Sequence, residues 1–232
     1  MSGVTEPARI GVMGKHPGFG DFIQSGLSKD VHDALMRWLD KTLSRVREDA
    51  GSDWKSWWAQ AQPLRFWIGR SVLGVPVAGV MQPSQDKVGR DYPLILAAEN
   101  VFLPVPGDGG ATDQSPWEAL EAHVTAMAPG KGAASLLEGL TLELPAEGEV
   151  ERALGPTIWA HHPEGDLDAL LRAAAGADLA RGALQRSYWW SAGDDTRLPV
   201  WLGCHGLPDA GALRWLLAGQ PKQEQTAEAA EW

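Results

Sequence analysis

The stretch LRFWIGRSVLGVPVAGVMQP, residues 64–83, decides the fold class. Its two ends, LRFWIG and VPVAGVMQP, are short apolar runs, and the segment Gly69–Gly74 between them is bounded by glycines. The pattern predicts two strands around a glycine-rich turn. Upstream, RIGVM (9–13) reads as a further short strand, and downstream YPLILAAE (92–99) as another. RSYWWSA and LPVWLG then form a predicted hairpin with GDDT in its turn. Helical spacing alternates with these runs. Over 30–47, Val31, Leu35, Trp38, Leu39, Leu43 and Val46 fall on one stripe, with Asp30 as the expected N-cap and Asp33 reaching back to it. Further helices are predicted over 53–62, ended by Pro63; from Trp117 to Met127; over 168–182, interrupted by Gly176; and in DAGALRWLLAG. The strand–helix order is too irregular for a doubly wound parallel sheet, and there is no internal repeat. The expected fold is α/β: a mixed or largely antiparallel central sheet covered by helices in a single compact domain over 9–219. Residues 133–144 fit no one type, 145–157 have the composition of a separator between two lobes, and 220–232 read as a flexible tail.

Composition narrows the function. The chain has 232 residues and a formal charge of −10, from thirty acidic and twenty basic side chains. That field opposes nonspecific nucleic-acid binding and anionic membranes. The single cysteine, Cys204, excludes an intrachain disulfide, and an ordinary packed thiol is expected there. There is no signal-like N-terminus and no apolar run long enough to span a bilayer, so a cytoplasmic location without membrane insertion is the expectation. Twelve tryptophans predict a core of large rings, an aromatic surface, or both.

Two polar loops stand out. The first, GKHPGFGDF (14–22), places Gly14, Lys15, Pro17, Gly20, Asp21 and Phe22 together. It is not a Walker loop, because Lys15 precedes the glycine cluster and no serine or threonine follows in place. It is not a GxGxxG dinucleotide turn either. One histidine, His16, beside Asp21 does not make a zinc site, and HHPEGD (161–166) lacks the HExxH spacing. Asp21 fits a turn residue accepting backbone N–H groups, and equally a partner contact; Lys15 has Asp21 or another carboxylate as its mate. The second loop, PSQDKVGRDYP (83–93), carries Pro83, Ser84, Asp86, Gly89, Arg90 and Tyr92. Arg90 suits bidentate carboxylate recognition: a clamp on Asp21, a partner contact and a solvated side chain are all open. Ser84 has no GxSxG elbow, so a hydrolase requires distant residues to converge on the two loops. Trp189 and Trp190 point to opposite faces if their segment is a strand, one into the core and the other toward a groove or interface.

Taken together, IGVMGKHPGFGDF, GVMQPSQDKVGRDYPLILAAE and RSYWWSAGDD…GLPDAGALRWLLAG resemble the TagF family, also called ImpM, accessory proteins of the bacterial type VI secretion system. The resemblance runs from about residue 9 to 219. The opening motif is matched by Gly14, Lys15, Pro17, Gly20, Asp21 and Phe22. The middle motif is matched by Pro83, Ser84, Asp86, Gly89, Arg90, Tyr92 and Pro93, and the third by Tyr188, Trp189 and Trp190. Phe19 stands where the family commonly has arginine, and Tyr92 where it commonly has phenylalanine. The resemblance implies a cytoplasmic, non-enzymatic, post-translational repressor of type VI secretion that needs no cofactor. It further implies binding to a forkhead-associated scaffold protein or another secretion component, in opposition to a threonine-phosphorylation route. A hydrolase built on the two loops and a structural subunit of the apparatus are the alternatives. Asp21 and Arg90 are expected to organise the paired loops.

Overall fold

The computed structural model describes residues 8–101, 103, 113–142, 161 and 163–222. In chain order the elements are β1 (Arg9–Gly14), β2 (Ile23–Ser25), α1 (Lys29–Ala50), α2 (Trp54–Ala59), β3 (Leu64–Ile68), the one-turn helix α3 (Arg70–Leu73) and β4 (Val77–Gln82). They continue with β5 (Leu94–Glu99), α4 (Ser115–Ala126), α5 (Leu167–Ala183), β6 (Arg186–Ser191), β7 (Arg197–Leu198), β8 (Val200–His205), α6 (Ala210–Ala218) and β9 (Gln220–Pro221). Seven strands form one sheet in the order β2-β1-β5-β4-β3-β6-β8. Every neighbouring pair in it is antiparallel. The largely antiparallel sheet expected from the sequence is therefore present.

All five residues of β3 are buried, because helices cover both faces of the sheet. Side chains alternate between faces along a strand, so each adjacent apolar pair is divided between two cores. Met13, Phe66, Met81, Ile95 and Trp189 enter the core beneath α1, α2 and α6. Their neighbours Val12, Trp67, Val80, Leu96 and Trp190 enter the other, against Trp117 and Leu120 of α4 and Leu136 of a short 3-10 turn. This explains why the central strands read as continuous apolar runs. Phe66 lies opposite Trp189 in the β3–β6 register, and their rings stack with centroids 4.9 Å apart. The Phe66 ring also crosses β4 at Gly79, where a β-carbon would lie 2.7 Å from its tip and 2.5 Å from the Leu96 carbonyl oxygen. Only glycine fits there.

Several details differ from expectation. Ser28, not Asp30, caps α1: its Oγ accepts from the Val31 N–H and donates to buried Glu99. That second bond fixes the serine and leaves Asp30 in the first turn, where a carboxylate complements the helix dipole. Asp33 turns instead to Lys29. α2 ends at Ala59, before Pro63, and the Gly69–Gly74 turn contains α3. α5 runs through Gly176 without a break; a helical glycine costs only about 1 kcal/mol and the flanking alanines carry the turn. The 133–144 stretch yields the 3-10 turn Ala133–Leu137. Trp189 and Trp190 are both buried, on opposite faces, so neither ring caps a groove. Gln220–Pro221 pairs with Arg197–Leu198. The expected separator at 145–157 and residues 223–232 of the expected tail lie outside the described residues.

Candidate functional site

β1, β5 and β4 are adjacent strands, so the loop leaving β1 and the loop joining β4 to β5 emerge at one end of the sheet. Gly14 ends β1 with φ +112°, and a β-carbon there would lie 2.0 Å from the Pro93 carbonyl oxygen. Glycine is required because the two loops touch at this point. The contact continues outward. The Lys15 N–H donates to the Pro93 carbonyl (3.2 Å) and the Lys87 N–H to the Phe19 carbonyl (2.8 Å). Within the second loop, the Asp86 N–H donates to the Arg90 carbonyl (3.1 Å) and the Tyr92 N–H to the Ser84 carbonyl (3.0 Å).

Asp86 is the hub. Its side chain has no exposed surface and pairs with Lys15 Nζ at 3.1 Å, itself 8% exposed. Its Oδ1 accepts from the Val88 N–H (3.1 Å) and the Arg90 N–H (2.9 Å), and its Oδ2 from Arg90 Nε (2.6 Å). Burial, the largest single influence, pushes its carboxyl pKa up. The Arg90 backbone, Lys15, the Arg90 guanidinium and the Val88 backbone together outweigh burial and hold it far below the usual carboxylate range. Arg90 also donates through Nη2 to the Gly20 carbonyl (2.7 Å). The expected organising pair is thus replaced: Arg90 holds Asp86 and the first loop's backbone. Asp21 is exposed, and its Oδ1 accepts from the Phe22 N–H (2.8 Å). The physical reason is that the buried carboxylate, with no water to solvate it, is the one that draws the cations.

This arrangement gives a testable acid sensitivity. A folded-state pKa below the unfolded reference of 3.8 means that the unfolded chain binds the extra proton between the two values. Stability from Asp86 is present above the unfolded pKa and is lost as pH falls toward the folded one. The Asp86 contribution to melting should therefore be constant with pH near neutrality and fall away below about pH 4. The acid-dependent part should shrink in Asp86→Asn.

Aromatic residues of α2 brace the loop from behind. Trp54 Nε1 donates to Asp91 Oδ2 (2.8 Å), Trp58 Nε1 to the Ser84 carbonyl (2.9 Å), and Lys55 Nζ to Asp91 (2.9 Å) and the Gly89 carbonyl (2.6 Å). Tyr92 donates its hydroxyl to Asp40 (3.0 Å). Burial first, then the Asp40 charge and this hydrogen bond, push its phenol far up, so it remains a donor. Phe22, 46% exposed, sits edge-on to the Tyr92 ring at 4.8 Å with Lys15 Nζ over its own ring. The family's usual phenylalanine would keep that ring contact and lose the bond to Asp40.

Two clefts flank the second loop. One, of about 730 Å³, is lined by Phe22, Arg47, Trp54, Lys55, Arg90 and Tyr92 among others. The other, of about 710 Å³, runs along His16, Pro17, Trp58, Pro83, Ser84 and Met127. His16 Nδ1 accepts from the Gly18 N–H (3.0 Å), and partial burial lowers its pKa. The imidazole is thus neutral with its proton on Nε2. No hydrogen bond joins it to Ser84 Oγ among the described residues, and Asp91 is held by Trp54 and Lys55. Among the described residues, no three His, Cys, Asp or Glu side chains gather in a cation-binding group, and no helix is long and apolar enough to cross a membrane. Trp189 and Trp190 line neither cleft. The sequence reading missed the α2 contribution. Its signal was the Trp54/Trp58 pair at i, i+4 with Lys55 between.

The model of the TagF N-terminal domain, type VI secretion system-associated, matches residues 11–140, more than half of the chain and the whole of both loops. The crystal structure of PA0076 from Pseudomonas aeruginosa PAO1 shares the fold, with a TM-score of 0.70 at 24% identity over 96% of this chain and 100% of that one. No curated protein matches. The chain belongs to the TagF N-terminal domain family, associated with type VI secretion.

Proposed function

We propose that this protein is a non-enzymatic, cytoplasmic repressor of type VI secretion that acts by binding a secretion component, such as a forkhead-associated scaffold protein, through the surface of loops 14–22 and 83–93. The observation that carries this reading is a combination. The loops are locked to each other through buried Asp86, yet they present Phe22 and Val88, 46% and 71% exposed, to solvent. A rigid loop surface with exposed apolar side chains fits recognition of another protein. Family membership supports the secretion context, and the neutral, locally bonded His16 offers Ser84 no positioned base.

The test is a pull-down from the native bacterium with a secretion assay alongside, comparing wild type with Phe22→Ala/Val88→Ser. Both substitutions are at the surface and should leave the melting temperature within about 2 °C. Wild type should retain a secretion component substoichiometrically and lower secretion when overproduced; the variant should lose both effects. Equal retention by the two proteins removes the loops from the mechanism. Stoichiometric recovery with the assembled apparatus identifies a structural subunit instead.

A further inference from the structure

The cleft beside Phe22 carries a charge opposite to that of the whole molecule. Lys15, Arg47, Lys55 and Arg90 line it, with two carboxylates, Asp40 and Asp91; Asp86 lies beneath. The carboxylates are largely turned inward. The side chains of Asp86 and Asp91 are 0% and 5% exposed, whereas those of Lys55 and Arg90 are 67% and 57% exposed. Asp40 is the exposed exception, and it already accepts the Tyr92 hydroxyl. The outward face is therefore cationic on a chain whose formal charge is −10.

The donors still available converge on one side. Arg47, exposed on the last turn of α1, lays its guanidinium over the Trp54 ring at 4.8 Å and has no carboxylate partner among the described residues. A guanidinium stacked in this way keeps its N–H edge free for a carboxylate while the ring fixes its plane. Lys55 follows Trp54 directly and, with two of its three N–H donors on Asp91 and the Gly89 carbonyl, keeps one for a ligand; Arg90 projects from the facing loop, with Nε and Nη2 committed inward. Phe22 supplies an exposed apolar surface at the same cleft.

We infer that this cleft docks an acidic peptide segment of a partner protein, with carboxylates on Arg47, Lys55 and Arg90 and an apolar side chain on Phe22. Charge complementarity selects this occupant. Screening limits the local cationic field to about 8 Å at physiological salt, which a short acidic segment can occupy. A long polyanion such as nucleic acid or a membrane surface would also lie against the acidic remainder of the molecule. The inference rests on the loops being a docking surface and adds the chemistry of what docks.

The test uses purified protein and fluorescent synthetic peptides: a short Glu/Asp-rich peptide containing leucines, and its Gln/Asn counterpart. The acidic peptide should bind at least about tenfold more tightly than the amide one, and weaken at least about tenfold when salt rises from about 50 to about 300 mM. Arg47→Glu, which breaks no ion pair, should abolish the preference. Arg45→Glu, on the same helix but paired with Glu48 and Asp49, should retain it. Equal binding of the two peptides, an unchanged preference in Arg47→Glu, or full displacement by millimolar inorganic phosphate would overturn the inference. If the acidic peptide fails while the loops still capture a secretion component from the bacterium, the docking surface stands and its proposed chemistry falls. Failure in both settings removes both.

Discussion

Asp86→Ala should lower the melting temperature by about 10 °C and abolish partner retention together. The substitution removes the one group that bonds Lys15, the Val88 and Arg90 N–H groups and the Arg90 side chain. Lys15 is then a buried cation without a counter-charge, and two backbone donors lose their acceptor. Both are costly in a dry site. Arg90, released from Asp86, also loses the geometry that carries its bond to the Gly20 carbonyl, so the first loop is no longer held. Asp86→Asn should fall between wild type and alanine, since an amide retains one acceptor oxygen but turns N–H groups toward Lys15 and Arg90. Circular dichroism melts and Trp fluorescence read the stability, and pull-down reads the surface. A melt within about 2 °C of wild type would refute the role of hub given to Asp86.

The second large effect belongs to the sheet. Trp189→Ala should destabilise the protein by about 3–5 kcal/mol, seen as a lower urea midpoint with a nearly unchanged slope. The ring has no exposed surface. It stacks on Phe66 and lies 5.1 Å from Trp38, and its Nε1 donates to Ser187 Oγ at 2.8 Å. Removal opens a cavity beneath α1 and α6 and takes one bond from the buried Ser187 hydroxyl, which keeps its bond to the Gly206 carbonyl. Exposed Trp215→Ala should change the midpoint far less; equal losses would mean that the ring cluster does not carry the core.

Trp189 also shows how much was legible in the sequence. The adjacent pair at 189–190 announced a strand with two opposite rings, and β6 has that geometry. What the pattern did not contain was a second helical layer: with both faces covered, each ring of the pair is interior. Strands β1, β3, β4, β5, β6 and β8 and the long helix followed from local periodicity and turn chemistry, β2, β7 and β9 did not, and the meeting of the two loops was expected from the family resemblance and from the charges they carry. The choice of Asp86 over Asp21 as the mate of Lys15 and Arg90 did not. Both carboxylates sit in glycine-containing turns, and only tertiary packing decides which is dehydrated. Ser28 replaced Asp30 at the helix start for a similar reason: its partner Glu99 is seventy-one residues away. The bracing by Trp54 and Trp58 was hidden because a sequence gives a helix its apolar stripe but not the loop that the stripe will meet.

The bond from Arg90 to the Gly20 carbonyl joins residues seventy positions apart, in two loops that the pairing of β1 with β5 brings together. The paired-loop surface is therefore a product of tertiary structure rather than a property of either peptide segment. A fragment lacking either loop does not display it. Under the proposed function, partner binding would then be reserved for folded molecules, because the contacts that hold the two loops together are the ones that shape the proposed binding face.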